Sequence, residues 1–125
     1  MKRTDKRRTG DLGEGIACTY LESKGFKIVE RNYLKPWGEI DIIAVLNGVY
    51  RFVEVKTISR EKQQGGGGVS AEDHIHPAKL KRLARTIELY VANIKGDPEY
   101  QLDVLTVTLD HATRRAHCKL YEQVL

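Results

Sequence analysis

The sequence predicts an α/β domain: a mixed central sheet of about five strands flanked by helices. Three observations lead there. Apolar residues recur at helical spacing in two segments, short runs of strand length fill most of the rest, and an Asn47-Gly48 dipeptide joins two of those runs as a hairpin turn would. The order helix, three strands, helix, two strands suits one sheet covered by helices. At 125 residues the chain makes one domain, large enough to build a core without disulfides or metal staples.

The first helix is expected from Asp11 to Lys24, with Gly25 as its C-cap, because Leu12, Ile16, Ala17, Tyr20 and Leu21 fall on one face. Glu14 lies at the edge of that face beside Ala17 and Leu21, whereas Glu22 points to solvent. Gly13 and Gly15 are poor helix formers, and their use near a helix start indicates a close approach to the backbone. Phe26 to Tyr33 reads as a strand that Lys35-Pro36-Trp37-Gly38 breaks. Arg60 to Gly68 is a polar loop ending in four glycines, Gly65 to Gly68, and no Gly-Lys-Ser/Thr follows to make it a P-loop. A second amphipathic helix carries Leu80, Leu83, Ala84, Ile87, Val91 and Ile94 and ends near Gly96-Asp97-Pro98. Tyr100 to Leu109 and Arg114 to Val124 are the last two strands.

Charge and composition narrow the function classes. Lys2, Arg3, Lys6, Arg7 and Arg8 against Asp5 account for the whole net charge of +4, so residues 1–9 are expected to be a flexible basic tail before a neutral domain. Such a tail suits nucleic acid as a partner or is simply solvated. Cys18 and Cys118 lack the spacing of a zinc site and read as buried thiols of a reducing compartment. The longest aliphatic run, Ile42 to Leu46, is far too short for a membrane span, and no apolar stretch follows the charged N-terminus, so a cytoplasmic address is expected.

The chemistry concentrates in the hairpin. Asn-Gly supplies the two positive-φ residues of a type I′ turn, so Gly38–Leu46 and Val49–Thr57 pair antiparallel. With Leu46 facing Val49, Asp41 faces Glu54 and Glu39 faces Lys56, all on one side of the sheet. Directly opposed side chains have Cβ atoms roughly 4.5–5.5 Å apart, where two like charges destabilise the pair unless a cation offsets them. Glu14, on a helix packed over that face, makes a third carboxylate. Three such anions either raise their pKa values or take a hard cation, and carboxylates, a carbonyl such as that of Val55 and water are the ligands Mg²⁺ or Mn²⁺ prefers. Lys56, one strand repeat beyond Glu54, could position a water or stabilise a phosphorane. The plainer readings are a Glu39–Lys56 sheet salt bridge and a Glu14 favoured by the helix dipole.

Asp41 followed after twelve residues by Glu54-Val55-Lys56 resembles the PD-(D/E)XK signature of restriction-endonuclease-like folds, with Glu14 at the place of their N-terminal-helix acid and Ile40 where the proline stands. Gly10-Asp-Leu-Gly-Glu14, Arg31-Asn32, Gly38-Glu-Ile-Asp-Ile-Ile-Ala44, Phe52-Val-Glu-Val-Lys-Thr57, Lys79 and Leu102-Asp-Val104 together resemble the YraN-type bacterial family, itself thought to be endonuclease-like. Archaeal Holliday-junction resolvases share the same order more loosely. The resemblance implies a restriction-endonuclease-like fold over residues 10–125, metal ligation by Asp41 and Glu54, a supporting role for Glu14 beside them at the metal, and catalysis by Lys56; Glu39, on the same sheet face, is a further supporting candidate. It implies a Mg²⁺- or Mn²⁺-dependent endonuclease acting on DNA, with branched or recombination intermediates as the substrate suggested by analogy.

Other residues are weaker candidates. Lys79, on the flank of the second helix's stripe, shares the family pattern; Lys81, Arg82 and Arg85 read first as a solvated face and second as phosphate-binding. His74 and His76 have metal-binding alternation but sit in a polar loop. Asp103 reads as a structural hydrogen-bonding residue, and Trp37 as a packing residue at the hairpin's mouth with base stacking as its alternative. The rival to an enzyme is a nucleic-acid-binding accessory protein that keeps the fold without cleaving, and a third reading is a metal-free partner-binding domain. A two-fold dimer is what symmetric junction cleavage requires, and no residue pattern marks its interface.

Overall fold

The structure is a computed structural model that describes residues 5–60 and 75–125. Among the described residues the elements run α1 (Asp5–Ser23), β1 (Lys27–Lys35), β2 (Gly38–Leu46), β3 (Val49–Arg60), α2 (Pro77–Val91), β4 (Tyr100–Asp110) and β5 (Arg115–Tyr121). The strands form one mixed sheet in the order β1-β2-β3-β4-β5, in which only the β3–β4 pair is parallel. The Gly65–Gly68 segment and His74 lie outside the described residues.

Local chemistry accounts for the boundaries. α1 starts at Asp5, six residues before the expected start, because the basic residues ahead of Gly10 are good helix formers and none of them breaks a helix. It stops where expected. Gly25 takes φ +92°, its N–H donates to Glu22 O, and the N–H of Phe26 reaches back to Leu21 O, a Schellman ending. Asn47 and Gly48 adopt φ 50° and 80°, and the turn sets the β2–β3 register from Leu46–Val49 to Ile42–Val53 without a shift. α2 starts at Pro77, capped by the His76 side chain, which accepts from the Ala78 N–H at 3.1 Å. The cap is the contact that the His76 side chain makes among the described residues.

The two helices cover opposite faces of the sheet. Under α1, Ala17, Cys18 and Leu21 pack with Ile42, Ala44, Val53, Leu105 and Val107. Under α2, Leu83 and Ile87 pack with Ile40, Ile43, Phe52 and Leu102. Leu12 was expected on the inner face of α1 but is 55% exposed. The inner line of α1 runs through Gly13, Ala17 and Leu21, and Leu12 points well away from it. Gly13 is the residue that lets α1 close on β3: a Cβ there would run into the side chain of Thr57, whereas one at Gly15 would meet nothing within 4 Å. The expectation of a close backbone approach thus holds for Gly13 alone.

One buried ion pair ties β3 to β4. Asp103, fully buried, accepts from Arg51 Nη1 at 2.8 Å through one oxygen and from Gln101 Nε2 and the Gln123 N–H, each at 2.8 Å, through the other. The Arg51 guanidinium also lies over the Phe26 ring, 5.2 Å from its centroid. Asp103 is therefore the structural acceptor expected of it.

Two stability measurements check this packing. Gly13→Ala is expected to lose about 1–3 kcal/mol in urea unfolding through overpacking against Thr57, whereas Gly15→Ala gains up to about 1 kcal/mol from helix propensity. Asp103→Ala strands a buried guanidinium and is expected to cost about 3–5 kcal/mol.

Candidate functional site

The site forms where β2 and β3 part. The β2–β3 ladder ends at Ile42–Val53, and two residues on the Val55 N–H donates at 2.8 Å to Oδ2 of Asp41. On the other edge of β2, Arg31 pairs with Ile42 and Tyr33 with Ile40, which leaves Asn32 opposite Asp41. Asn32 takes φ 53°, a left-handed conformation that asparagine tolerates. Side-chain alternation breaks across this step: Ile42 packs under α1, yet Ile40 joins Tyr33 in the layer under α2. Asp41 sits at the break.

Glu54 follows Val53 on β3, buried on the face that α2 covers, and its Oε2 holds Lys79 Nζ at 2.5 Å. Lys79 stands in the first turn of α2, where the helix dipole disfavours a cation, so the acidic pair is what stabilises its charge there. Burial alone would lower the lysine's pKa, but Glu54 foremost, with Asp41 and Glu39, outweighs it and raises the pKa above its ordinary value.

Asp41 carries the electrostatic cost of the pairing. Burial first, then repulsion from Glu54, pushes its pKa up to about 8; the Val55 amide works in the opposite direction, and Glu14 adds to the rise from a distance. Burial and the neighbouring Glu54 thus both favour the protonated form of Asp41.

Glu14 reaches the same region from α1. Its Oε1 is buried without a hydrogen-bond partner, and burial raises its pKa, with Asp11 and Glu39 adding to the rise and Arg31 and a hydrogen bond to Asn32 working against it. It lines a cavity of about 450 Å³ with Arg31, Asn32 and Glu39. Arg31 and Asn32, given no role from residue chemistry, are thus the neighbours that hold Glu14. The signal available for them was an asparagine interrupting a strand.

The expected residues therefore assemble in part. Asp41 and Glu54 come together, and Glu14 lies within electrostatic range of Asp41. Among the described residues no three His, Cys, Asp or Glu side chains converge closely enough to hold a metal ion between them. Lys56 follows Glu54 on the same face, exposed, with its backbone paired to Thr106 of β4. The Glu39–Lys56 salt bridge is not formed: both side chains are exposed, and the ladder that would oppose them has already ended. Lys79, expected on the flank of α2, is half-exposed yet joined to the site by its ion pair with Glu54, whereas Lys81, Arg82 and Arg85 are exposed. Trp37 corrects the expectation of a packing residue. It is 47% exposed at the β1–β2 turn, because Gly38, whose missing Cβ lets the turn close on Thr86, makes the contact with α2 instead.

The donor set suits a hard divalent cation in its chemistry. Asp41 and Glu54 are two adjoining carboxylates whose mutual repulsion a bound cation would offset. Asp41 and Glu54 would hold it.

A match to the family described as "Uncharacterised protein family UPF0102" spans residues 13–107, which includes Glu14, Asp41, Glu54, Lys56 and Lys79. The chain belongs to UPF0102. This is the YraN-type grouping that its motifs resemble. A UPF0102 protein of Helicobacter hepaticus is 33% identical over 120 residues, covering 96% of each chain. One of Campylobacter lari is 38% identical over 101 residues, 81% of this chain and 84% of its own, and a Helicobacter pylori relative is likewise 38% identical over 101 residues, covering 81% and 82%. The shared region of UPF0102 takes in α1 from Gly13 onward, α2, β1 to β3 and β4 as far as Val107. No helix among the described residues is long and apolar enough to cross a membrane.

The raised Asp41 pKa has a pH signature. The unfolded carboxyl ionises near 3.8 and the folded one near 8, so between these values the folded state binds more protons and this group's contribution to stability falls as pH rises. In EDTA, Asp41→Asn is expected to flatten that decline and to be the more stable protein at pH 8, by at most roughly 5 kcal/mol. Urea unfolding of both proteins at pH 5 and pH 8 measures it.

Proposed function

We propose that this protein is a metal-dependent DNA endonuclease of the restriction-endonuclease-like kind, acting on branched or repair and recombination intermediates. The observation that carries the reading is the Asp41–Glu54 pair at the mouth of the parted β2–β3 hairpin, with Lys56 next along the same face of β3. A like-charge pair of this kind costs stability in the free protein, and its chemistry is that of a hydrolytic metal site.

In this reading Asp41 and Glu54 hold Mg²⁺ or Mn²⁺, which when bound lowers the pKa of water and offsets charge on the phosphoryl group. The Asp41 carboxylate would serve as a ligand in its ionised form, beside Glu54. Lys79 leaves Glu54 and turns its ammonium to a backbone phosphate of the strand, a move of one flexible side chain whose Nζ already reaches the site. Lys56, exposed and without an ion pair among the described residues, orients the attacking water and stabilises charge building on the phosphorane. Glu14 supports the arrangement through its unpartnered oxygen.

One observation favours a second reading. The Lys79–Glu54 ion pair already neutralises Glu54, as it would in an accessory protein that binds nucleic acid through this fold and cleaves nothing.

Incubation with linear, nicked, flap and four-way-junction DNA in Mg²⁺ or Mn²⁺ separates the two. Cleavage of at least one substrate is expected, reduced roughly 10²-fold or more in Lys56→Ala and in Asp41→Asn or Glu54→Gln. Binding without cleavage by any of them establishes the accessory reading. Cleavage that persists in all three variants would sink the assignment of these residues.

A further inference from the structure

The face beside the carboxylates has its own groove. The Lys35–Gly38 turn and α2 enclose about 320 Å³, lined by Leu34, Lys35, Trp37, Arg82, Leu83 and Thr86, with Glu39 and Lys79 at the end nearest Glu54. Two large apolar side chains stand open on the turn: Leu34 is 72% exposed and Trp37 47%. The other aromatic residues of this region are mutually engaged. Tyr33, Tyr50, Phe52, Tyr90 and Tyr100 form a chain of ring contacts 5.2–6.5 Å between centroids, in which Trp37 takes no part. Around the indole stand Lys35 and Arg82, which have no ion pair among the described residues, with Glu39 and the Glu54-bound Lys79 at one end.

We infer that this groove receives an unpaired base of a nucleic-acid strand, stacked on Trp37, with Lys35 and Arg82 on the adjoining phosphates. Exposed aromatic surface interleaved with cations is how proteins hold single-stranded nucleic acid: the ring takes the base's π-face, and the cations follow the backbone. The cations distinguish this patch from one that a second copy of the chain would cover, since apposing two such copies would bring Lys35, Lys79 and Arg82 against their own kind. Lys35, whose Nζ lies over the Tyr33 ring at 5.3 Å, is held at the turn rather than splayed into solvent. Because Lys79 belongs both to the groove and to the Glu54 ion pair, the groove adjoins the carboxylates. The inference rests on the nuclease reading and adds a substrate class: strands with at least one unpaired nucleotide beside the cleavage point.

Trp37 is the chain's single tryptophan, so its emission reports this groove alone. In EDTA at fixed ionic strength, the full chain is titrated with a short oligothymidylate and, separately, with a blunt hairpin duplex of equal charge. Binding is followed in parallel by anisotropy of labelled strands. The single strand is expected to quench Trp37, and Trp37→Ala to weaken its binding roughly ten-fold or more while leaving the duplex unchanged and Trp37→Phe near wild type. Single-strand binding with unaltered Trp37 emission, or equal affinity in Trp37→Ala, overturns the stacking site and leaves the nuclease reading standing. An emission shift driven by protein concentration alone assigns the patch to a second copy and overturns it as well. Failure to bind the single strand overturns this inference, and the cleavage assay in Mg²⁺ or Mn²⁺ decides the nuclease reading separately.

Discussion

The parallel pairing of β3 with β4 is the constraint on which the arrangement depends. Parallel neighbours cannot be joined by a tight turn; they need a crossover, here one that contains α2 and lays it across the sheet. With α1 already on the opposite face, both central strands are buried on two sides, which is why β4 is buried at almost every position from Leu102 to Leu109. The crossover also determines the electrostatics. It delivers the first turn of α2, and with it Lys79, directly over Glu54.

The region around Asp41 departs from the rules that govern the rest of the domain. Along most of the sheet backbone groups pair with backbone groups and apolar residues alternate with the pleat. At Asp41 a side chain takes the place of a ladder acceptor, a non-glycine residue opposite it adopts positive φ, the alternation slips, and burial together with the adjoining Glu54 raises the carboxyl's pKa. Each departure costs stability. Their concentration within a few residues is the pattern of a site kept for its chemistry rather than for folding.

Much of this was legible in the residues. The Asn47-Gly48 turn gave the hairpin, its register put Asp41 and Glu54 together, and Gly25 marked the end of α1, because each rests on chemistry between near neighbours. What stayed hidden depends on contacts between distant elements. Leu12 looked like core because helical spacing shows a stripe without showing where its centre meets the sheet. Lys79 looked peripheral, since the charge that holds it comes from another element across the sheet. Trp37 looked buried because size and apolarity suggest packing, whereas the neighbouring glycine makes the contact. The Glu39–Lys56 pair was drawn by extending a ladder past the point where the strands part.

The Arg51–Asp103 pair has a consequence for how the molecule forms during translation. Arg51 emerges with the hairpin, yet its carboxylate lies 52 residues downstream, and Gln123, which donates to the same carboxylate, a further 20. Until β4 has left the ribosome, a nascent chain folded as far as β3 would bury a guanidinium without its counter-charge, which is unfavourable enough to keep that face open. α1 has Ile42, Ala44 and Val53 to settle on by then, but Leu105, Val107 and Leu109 are still to come. Closure of the core is thereby deferred until β4 emerges, and the nascent hairpin, with its parallel edge uncovered, is the stretch most in need of protection from neighbouring chains.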